Sequence, residues 1–285
     1  MAITINTNIS SLVAQSNLSK ATASLNKAIE RMTTGYKINH ASDNAAGYSI
    51  AKNWEAQLSS LDVAADNAAM GSDMLSTMES NLGLVTSHLQ RVRDLTEQAA
   101  NGTYGSASLN AIKAEITARL DEVDRIAANC EFNGKHLLDG SITSAVNLQV
   151  GTGADGNSKI ELASSLFTNT NIATLFDDTK ANVAEKCANL DDDASASAML
   201  TTIDNVIKSI SNKVTTVGAT QNRIDSAVES INVQTENITS SLSTLKDADI
   251  AEESSRYIQA QILQQAAATL LATANQSPSI ALNLL

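Results

Sequence analysis

The sequence predicts a mainly α fold: a long antiparallel coiled-coil or helical-bundle rod with a small β-hairpin region, its N- and C-termini paired at one end. Three observations carry this. First, a 4-3 repeat runs through Ile203, Ile207, Ile210, Val214, Val217, Gln221, Ile224, Val228, Ile231, Thr235, Ile238, Leu242 and Leu245, with Met199 one turn before and only Gln221 and Thr235 not apolar. A sustained repeat of this kind is the seam of a helix that supercoils against partners, and it would reach roughly 70 Å. Second, aromatics are 3% of 285 residues, with one Trp and three Phe, so Leu, Ile, Val and Ala must fill a thin core. Third, the one proline is Pro278, so no residue that costs a helix interior about 3 kcal/mol interrupts the rest.

The elements follow in order. Leu18, Leu25, Ile29 and Met32 lie at helical spacing in a segment from about Asn8 to Met32, which ends at Gly35. The run INHASDNAAG (38–47) is turn-rich, with Ser42 and Asp43 as natural N-caps. A second long helix spans about Ala45 to Ala100, its apolar phase slipping by one residue near Leu75. NGTYGS (101–106) is a loop, and a third helix from about Ser108 to Asn129 carries Leu109, Ile112, Ile116, Leu120, Val123 and Ile126.

Past Asn133-Gly134 the pattern changes. Val146, Leu148 and Val150 alternate with polar residues, then GTGADGN leads to Ile160 and Leu162 around Glu161; alternation on both sides of a glycine-rich loop predicts a hairpin. The tract from Phe167 to Asp193 is mixed and acidic. The seam helix then runs to about Leu245, LKDAD (245–249) breaks it, and a last helix rich in Ala and Gln covers Ile250 to Ala274 before the tail SPSIALNLL. The chain thus goes out, turns at its β region and returns.

Chemistry is sparse. The net charge of −12 argues against a nucleic-acid partner, and the chain has no apolar run of about 18 residues that could cross a membrane. MAITINTNISS has neither the charged nor the apolar region of a cleavable signal. His40, His88 and His136 fall one to each distant segment, and Cys130 and Cys187 match no metal spacing, so inert thiols are expected. GTGADG lacks the strand-to-helix context of a phosphate loop, Asp191 to Asp193 form a solvated run before a helix N-terminus, and Glu252 and Glu253 face apart. No catalytic, cofactor-binding or metal residue is expected, and no enzyme.

Several stretches resemble bacterial flagellin: INTNISSLVAQSNL (5–18), IERMTTGYKINHASDNAAGYSIA (29–51), LQRVRDLTEQAANGT (89–103), AEITARLDEVDRIAANCEFNGKHLLDG (114–140), VGATQNRIDSAVESI (217–231) and DADIAEESSRYIQAQILQQAAATLLATANQ (247–276). They cover a little under half the chain and fall in the family's order. The resemblance is to a short form lacking the variable outer domains, and the two cysteines depart from the family's habit.

This resemblance implies a terminal-helix filament-core domain from 1–44 and 246–285 and a helical rod domain from 45–245, with 134–193 its hairpin and short variable segment. It implies a structural subunit that polymerises into the flagellar filament for motility. Leu18, Leu25, Ile29, Ile258, Ile262, Leu270 and Leu271 are then the candidate polymer core. Residues 1–40 and about 250–285 are expected to order during assembly. Implied partners are further copies of the chain, an export chaperone on the C-terminal helix, filament cap and hook-junction proteins, and the flagellin-sensing Toll-like receptor of animal hosts. Export is expected through the flagellar type III route, without a cleaved signal, to an extracellular flagellum. Receptor-facing positions carried over by the motif are Gln90, Arg91, Leu95 and Glu115, with Arg91 a planar donor fork and Glu115 an acceptor around an apolar Leu95. Read from the residues alone, Arg91 and Arg93 beside Asp94 and Glu97 are equally ordinary surface charges, and Leu95 a bundle residue. The rivals are a hook–filament junction protein, which shares flagellin-like ends, and a chemoreceptor-like signalling coiled coil, which would place a tight helical turn where this chain has alternating strands.

Overall fold

The computed structural model describes residues 7–188 and 193–282, so the expected charged run at Asp191 and Asp192 lies outside the described residues. Helix α1 (Ile9–Thr34) starts where the Asn8 side chain accepts the Ser11 amide and stops at Gly35, whose φ of 75° only glycine adopts without strain. Helix α2 (Ala45–Ala99) is capped by Asn44, which accepts the Gly47 amide at 2.9 Å. The expected caps Ser42 and Asp43 are not used. Asp43 stands one residue too early and instead accepts the amides of Asn39 and His40, closing the preceding turn.

Helix α3 (Ser106–Asn129) is followed by a small hairpin that the alternation did not announce: β1 (Glu131–Phe132) and β2 (Lys135–His136). Asn133 and Gly134 both have positive φ, the two-residue turn that an Asn-Gly pair favours. The expected hairpin forms as β3 (Val146–Gln149) against β4 (Lys159–Leu162), with Val146 opposite Leu162 and Leu148 opposite Ile160. Two short helices, α4 (Ile172–Phe176) and α5 (Lys180–Ala188), occupy the tract that composition showed only as mixed. Asn171 caps α4 by accepting the Thr174 amide, and α5 packs on α3 through Val183, Ala184 and Cys187.

Helix α6 (Asp193–Lys246) carries the seam, and α7 (Ile250–Leu282) continues past the expected stop at Ala274, since no glycine follows Ala274 to turn the chain. Two compact units result, Ser59–Thr235 and Met1–Leu58 with Glu236–Leu285.

The first of these holds one apolar core. Leu75, Met78, Leu82, Val85, Leu89, Val92 and Leu95 of α2 pack with Ile116, Leu120 and Val123 of α3 and Ile203, Ile210, Val217 and Ile224 of α6. The seam is unequal. The row Ile203, Ile210, Val217, Ile224 and Ile231 is buried; Ile207, Val214, Val228, Ile238, Leu242 and Leu245 are half-buried. Val206 and Thr220, outside the expected repeat, are buried too, so α6 meets its partners over a wider face than a two-helix seam needs. Gln221 reaches across to Ser76 (3.3 Å) and Glu79 (3.2 Å) of α2. Cys130 and Cys187 are free and buried, and burial pushes each thiol up to about 11.

Candidate functional site

In the unit formed by the two chain ends, α1 and α7 lie antiparallel. Four polar links fix their register: Asn8 Nδ2 to the Ala274 carbonyl (2.7 Å), Ser11 Oγ to Asn275 (2.7 Å), Gln264 to Thr22 (3.1 Å) and Arg31 to Glu253 (2.9 Å). The residues pressed between the helices are small. Ala14, Ala21 and Ala28 are the buried residues of α1, and Ala260 and Ala267 are buried in α7. In this register Leu18 lies level with Ala267 and Leu25 with Ala260, so a large side chain on one helix meets a small one on the other.

The large apolar residues are mostly elsewhere. Ile9, Leu12, Val13 and Ile29 of α1 are exposed, as are Ile250, Ile258, Ile262, Leu263 and Leu270 of α7, with Ile262 60% exposed and Leu270 63%. The candidate polymer-core residues therefore divide. Leu18, Leu25 and Leu271 are half-buried along the seam, whereas Ile29, Ile258, Ile262 and Leu270 face outward. Sequence reasoning missed the alanine seam itself. Its signal was the seven-residue spacing of Ala14, Ala21 and Ala28 and of Ala260, Ala267 and Ala274, which attention to large residues passed over.

The closed end of this pair is a polar junction. Gly35 and Lys37 exchange main-chain bonds with Ala248 and Lys246 (2.8 and 2.7 Å), forming a bridge between Tyr36 and Asp247. Lys246 lies over the Tyr36 ring at 4.1 Å and pairs with Glu55 at 2.6 Å. Lys27 at 2.7 Å, with the His40 and Asn39 amides, holds the Asp43 carboxyl down to about 2. Charge is divided unevenly. The terminal unit has seven Lys and Arg against eight Asp and Glu, and the other unit twelve against twenty-three. The unit with the exposed apolar helix faces is thus nearly neutral.

In the larger unit, Gln90, Arg91 and Glu115 are at the surface, where Arg91 Nε donates to Glu115 Oε1 at 3.0 Å and Arg119 lies 3.6 Å from the same oxygen. The Arg91 bond holds the Glu115 carboxyl below the usual carboxylate range. Leu95 is 1% exposed and belongs to the core. It braces this surface from beneath, the bundle position that the residues alone allowed it. Val63, Met70 and Leu84 are exposed at multiples of seven residues on α2, so they share one face. Met70 borders an open groove with Met74, Phe132, Val146 and Leu148. Among the described residues no group of three His, Cys, Asp or Glu is placed to hold a metal, and no helix is long and apolar enough to cross a membrane.

The family model of the bacterial flagellin N-terminal helical region matches residues 5–143, and that of the flagellin C-terminal helical region matches residues 200–285. The flagellar filament 33 kDa core protein of Treponema phagedenis is 31% identical over 99% of both chains. Flagellin of Bacillus subtilis is 34% identical, again over 99% of both. Among solved structures, a putative flagellar hook-associated protein from Vibrio parahaemolyticus has a TM-score of 0.60 at 16% identity, covering 72% of this chain and all of that one, a likeness of fold alone.

Proposed function

Because this chain belongs to the bacterial flagellin family, we propose that it is a filament subunit whose terminal helices bury their outer faces against further copies of itself, outside the cell. The observation that carries this is the inversion of size on α1 and α7, alanine inside and Ile or Leu outside. Burying one such Leu or Ile contributes about 1.5–3 kcal/mol, so the pair gains more from neighbours than from its own seam. The segments 1–44 and 246–285 act as the filament-core domain and 45–245 as the rod, with 134–193 its variable part. The alanine seam alone does not offset the ordering entropy of two helices, so residues 1–40 and 250–285 order on assembly. Limited proteolysis tests this: the ends are cut in the monomer and protected in filaments, and equal protection in both states overturns it. Electron microscopy of concentrated protein is expected to show long filaments; their absence overturns the subunit reading.

The exposed apolar face of α7 suits an export chaperone before assembly, with delivery by the flagellar type III route. Filament cap and hook-junction proteins would meet the same ends of the pair. The surface of Gln90, Arg91 and Glu115 suits the host flagellin-sensing Toll-like receptor, and here Arg91 must give up its bond to Glu115 or present it as a pair. An Arg91→Ala chain that binds the receptor ectodomain as well as the unaltered chain would remove this assignment. The hook–filament junction reading has support from fold alone, whereas the full-length identity is with flagellins.

A further inference from the structure

We propose that the ion pair between Arg31 and Glu253 is the pairing key of the terminal helices: it selects which row of α7 meets which row of α1. The inference rests on the filament reading above. The seam itself carries little information. Ala14, Ala21 and Ala28 recur every seven residues, as do Ala260, Ala267 and Ala274. Sliding α7 by one heptad in one direction puts Leu18 level with Ala274 and Leu25 level with Ala267. In a growing polymer, identical seams from many copies would be present together, so apolar fit alone does not exclude slipped pairs.

Arg31 and Glu253 break that equivalence. Their side chains are 17% and 7% exposed, with Nη1 and Oε1 2.9 Å apart, and among the described residues no other ion pair joins α1 to α7. Arg256, one turn along α7, lies 3.9 Å from the same carboxylate and pairs mainly with Glu252 at 2.6 Å. Arg31 also keeps its Nε buried with no acceptor among the described residues. A charge pair that leaves a buried donor unmet is a poor source of stability. Buried polar pairs of this kind are best attested as register devices in apolar helix seams. In that slip Arg31 stands level with Ala260 and Glu253 passes the end of α1 at Thr34, so neither charge meets its partner. The main-chain bridge at Tyr36 and Asp247 and the links of Asn8, Ser11 and Thr22 match the same register, but none of them holds a charge out of water, so none costs as much to break as the ion pair.

The test uses the full chain in seeded assembly on fragments of its own filaments, with the unaltered chain as control; if the control forms no filaments, the filament reading has failed and not the key. Arg31→Leu and Glu253→Leu each leave one buried charge alone, and each is expected to raise the critical concentration at least ~100-fold. The double variant removes both charges and is expected to return within ~10-fold of the control. Register is read by disulfide trapping of Thr22→Cys with Gln264→Cys, or with Tyr257→Cys or Leu271→Cys one heptad to either side. With the ion pair present only Gln264→Cys is trapped. In the double Leu background the off-register cysteines are trapped too, and trapping of Gln264→Cys alone in that background would overturn the key.

Discussion

Leu148 of β3 occupies the space that a β carbon on Gly71 of α2 would need: a side chain built at Gly71 collides with Cδ1 of Leu148 and sits tightly against Cδ2. Glycine inside a helix costs about 1 kcal/mol relative to alanine, so the larger hairpin is seated on α2 at the expense of local helix stability. Gly71→Ala should gain that propensity and offset it by displacing the Leu148 side chain, an overpacking that costs about 1–3 kcal/mol. The expected net result is a loss of about 0–2 kcal/mol by chemical denaturation. Adding Leu148→Ala to Gly71→Ala should recover part of it, and additive losses would show that the two residues do not touch.

The long helices were legible because their signals are redundant. Ile203 to Leu245 repeat over many turns, and Ile112, Ile116, Leu120, Val123 and Ile126 leave no doubt about the inner face of α3. The β1–β2 turn was not, because two-residue strands are too short for alternation, and only Asn133-Gly134 marked it. Leu148 at Gly71 is a long-range contact with no local trace. The terminal pair was half legible. Ile258 and Ile262 stood out as large and apolar, but which face turns inward was decided by alanines, whose burial gains are small and whose spacing is easily overlooked.

Leu120 is fully buried between α2, α3 and α6, and Ile29 is exposed on α1. Leu120→Ala should destabilise the larger unit by about 2–5 kcal/mol through lost burial and a cavity. Ile29→Ala should change monomer stability by no more than about 0.5 kcal/mol. Urea denaturation of the monomer separates them, and similar losses would mean that Ile29 is covered in the monomer.

Cys130 and Cys187 have thiols raised to about 11 by burial, so at pH 8 only about a thousandth of each is thiolate. A thiol-specific reagent should label neither in the folded monomer and both in denaturant. Cys187 also bonds to Thr96, which itself donates to the Val92 carbonyl, so its sulfur is doubly shielded. Rapid labelling of Cys187 without denaturant would show that α5 opens from α3, and of Cys130 that the turn after α3 opens.

Asp43 ties α1 to the turn before α2, and its carboxyl is lowered from 3.8 to about 2, first by the Lys27 hydrogen bond and then by the His40 amide. A depressed carboxyl contributes stability that is present above about pH 4 and lost as pH falls toward 2. Asp43→Asn should therefore cost at most about 2 kcal/mol at pH 6. The difference between the two proteins should shrink toward zero by pH 2. Hydrogen exchange of residues 27–43 in filaments across this range measures it, and a gap that stays constant with pH would show that the Lys27 link is not what lowers the group.

Ile262 and Ala267 separate the two faces of α7: one is 60% exposed and the other 6%. An exposed isoleucine adds little to a monomer, but when a neighbouring copy covers it the burial is worth about 1.5–3 kcal/mol. Ile262→Asn should leave the monomer's melting temperature unchanged while raising the critical concentration for filament growth about 10- to 100-fold. Ala267→Leu acts on the seam instead, forcing α1 and α7 apart, so it should impair assembly without adding any exposed polar group. Sedimentation of filaments over a concentration series distinguishes the cases. If Ile262→Asn assembles at the unaltered concentration, the outer face of α7 is not a contact between copies, and the drive to polymerise must lie on α1 or α2.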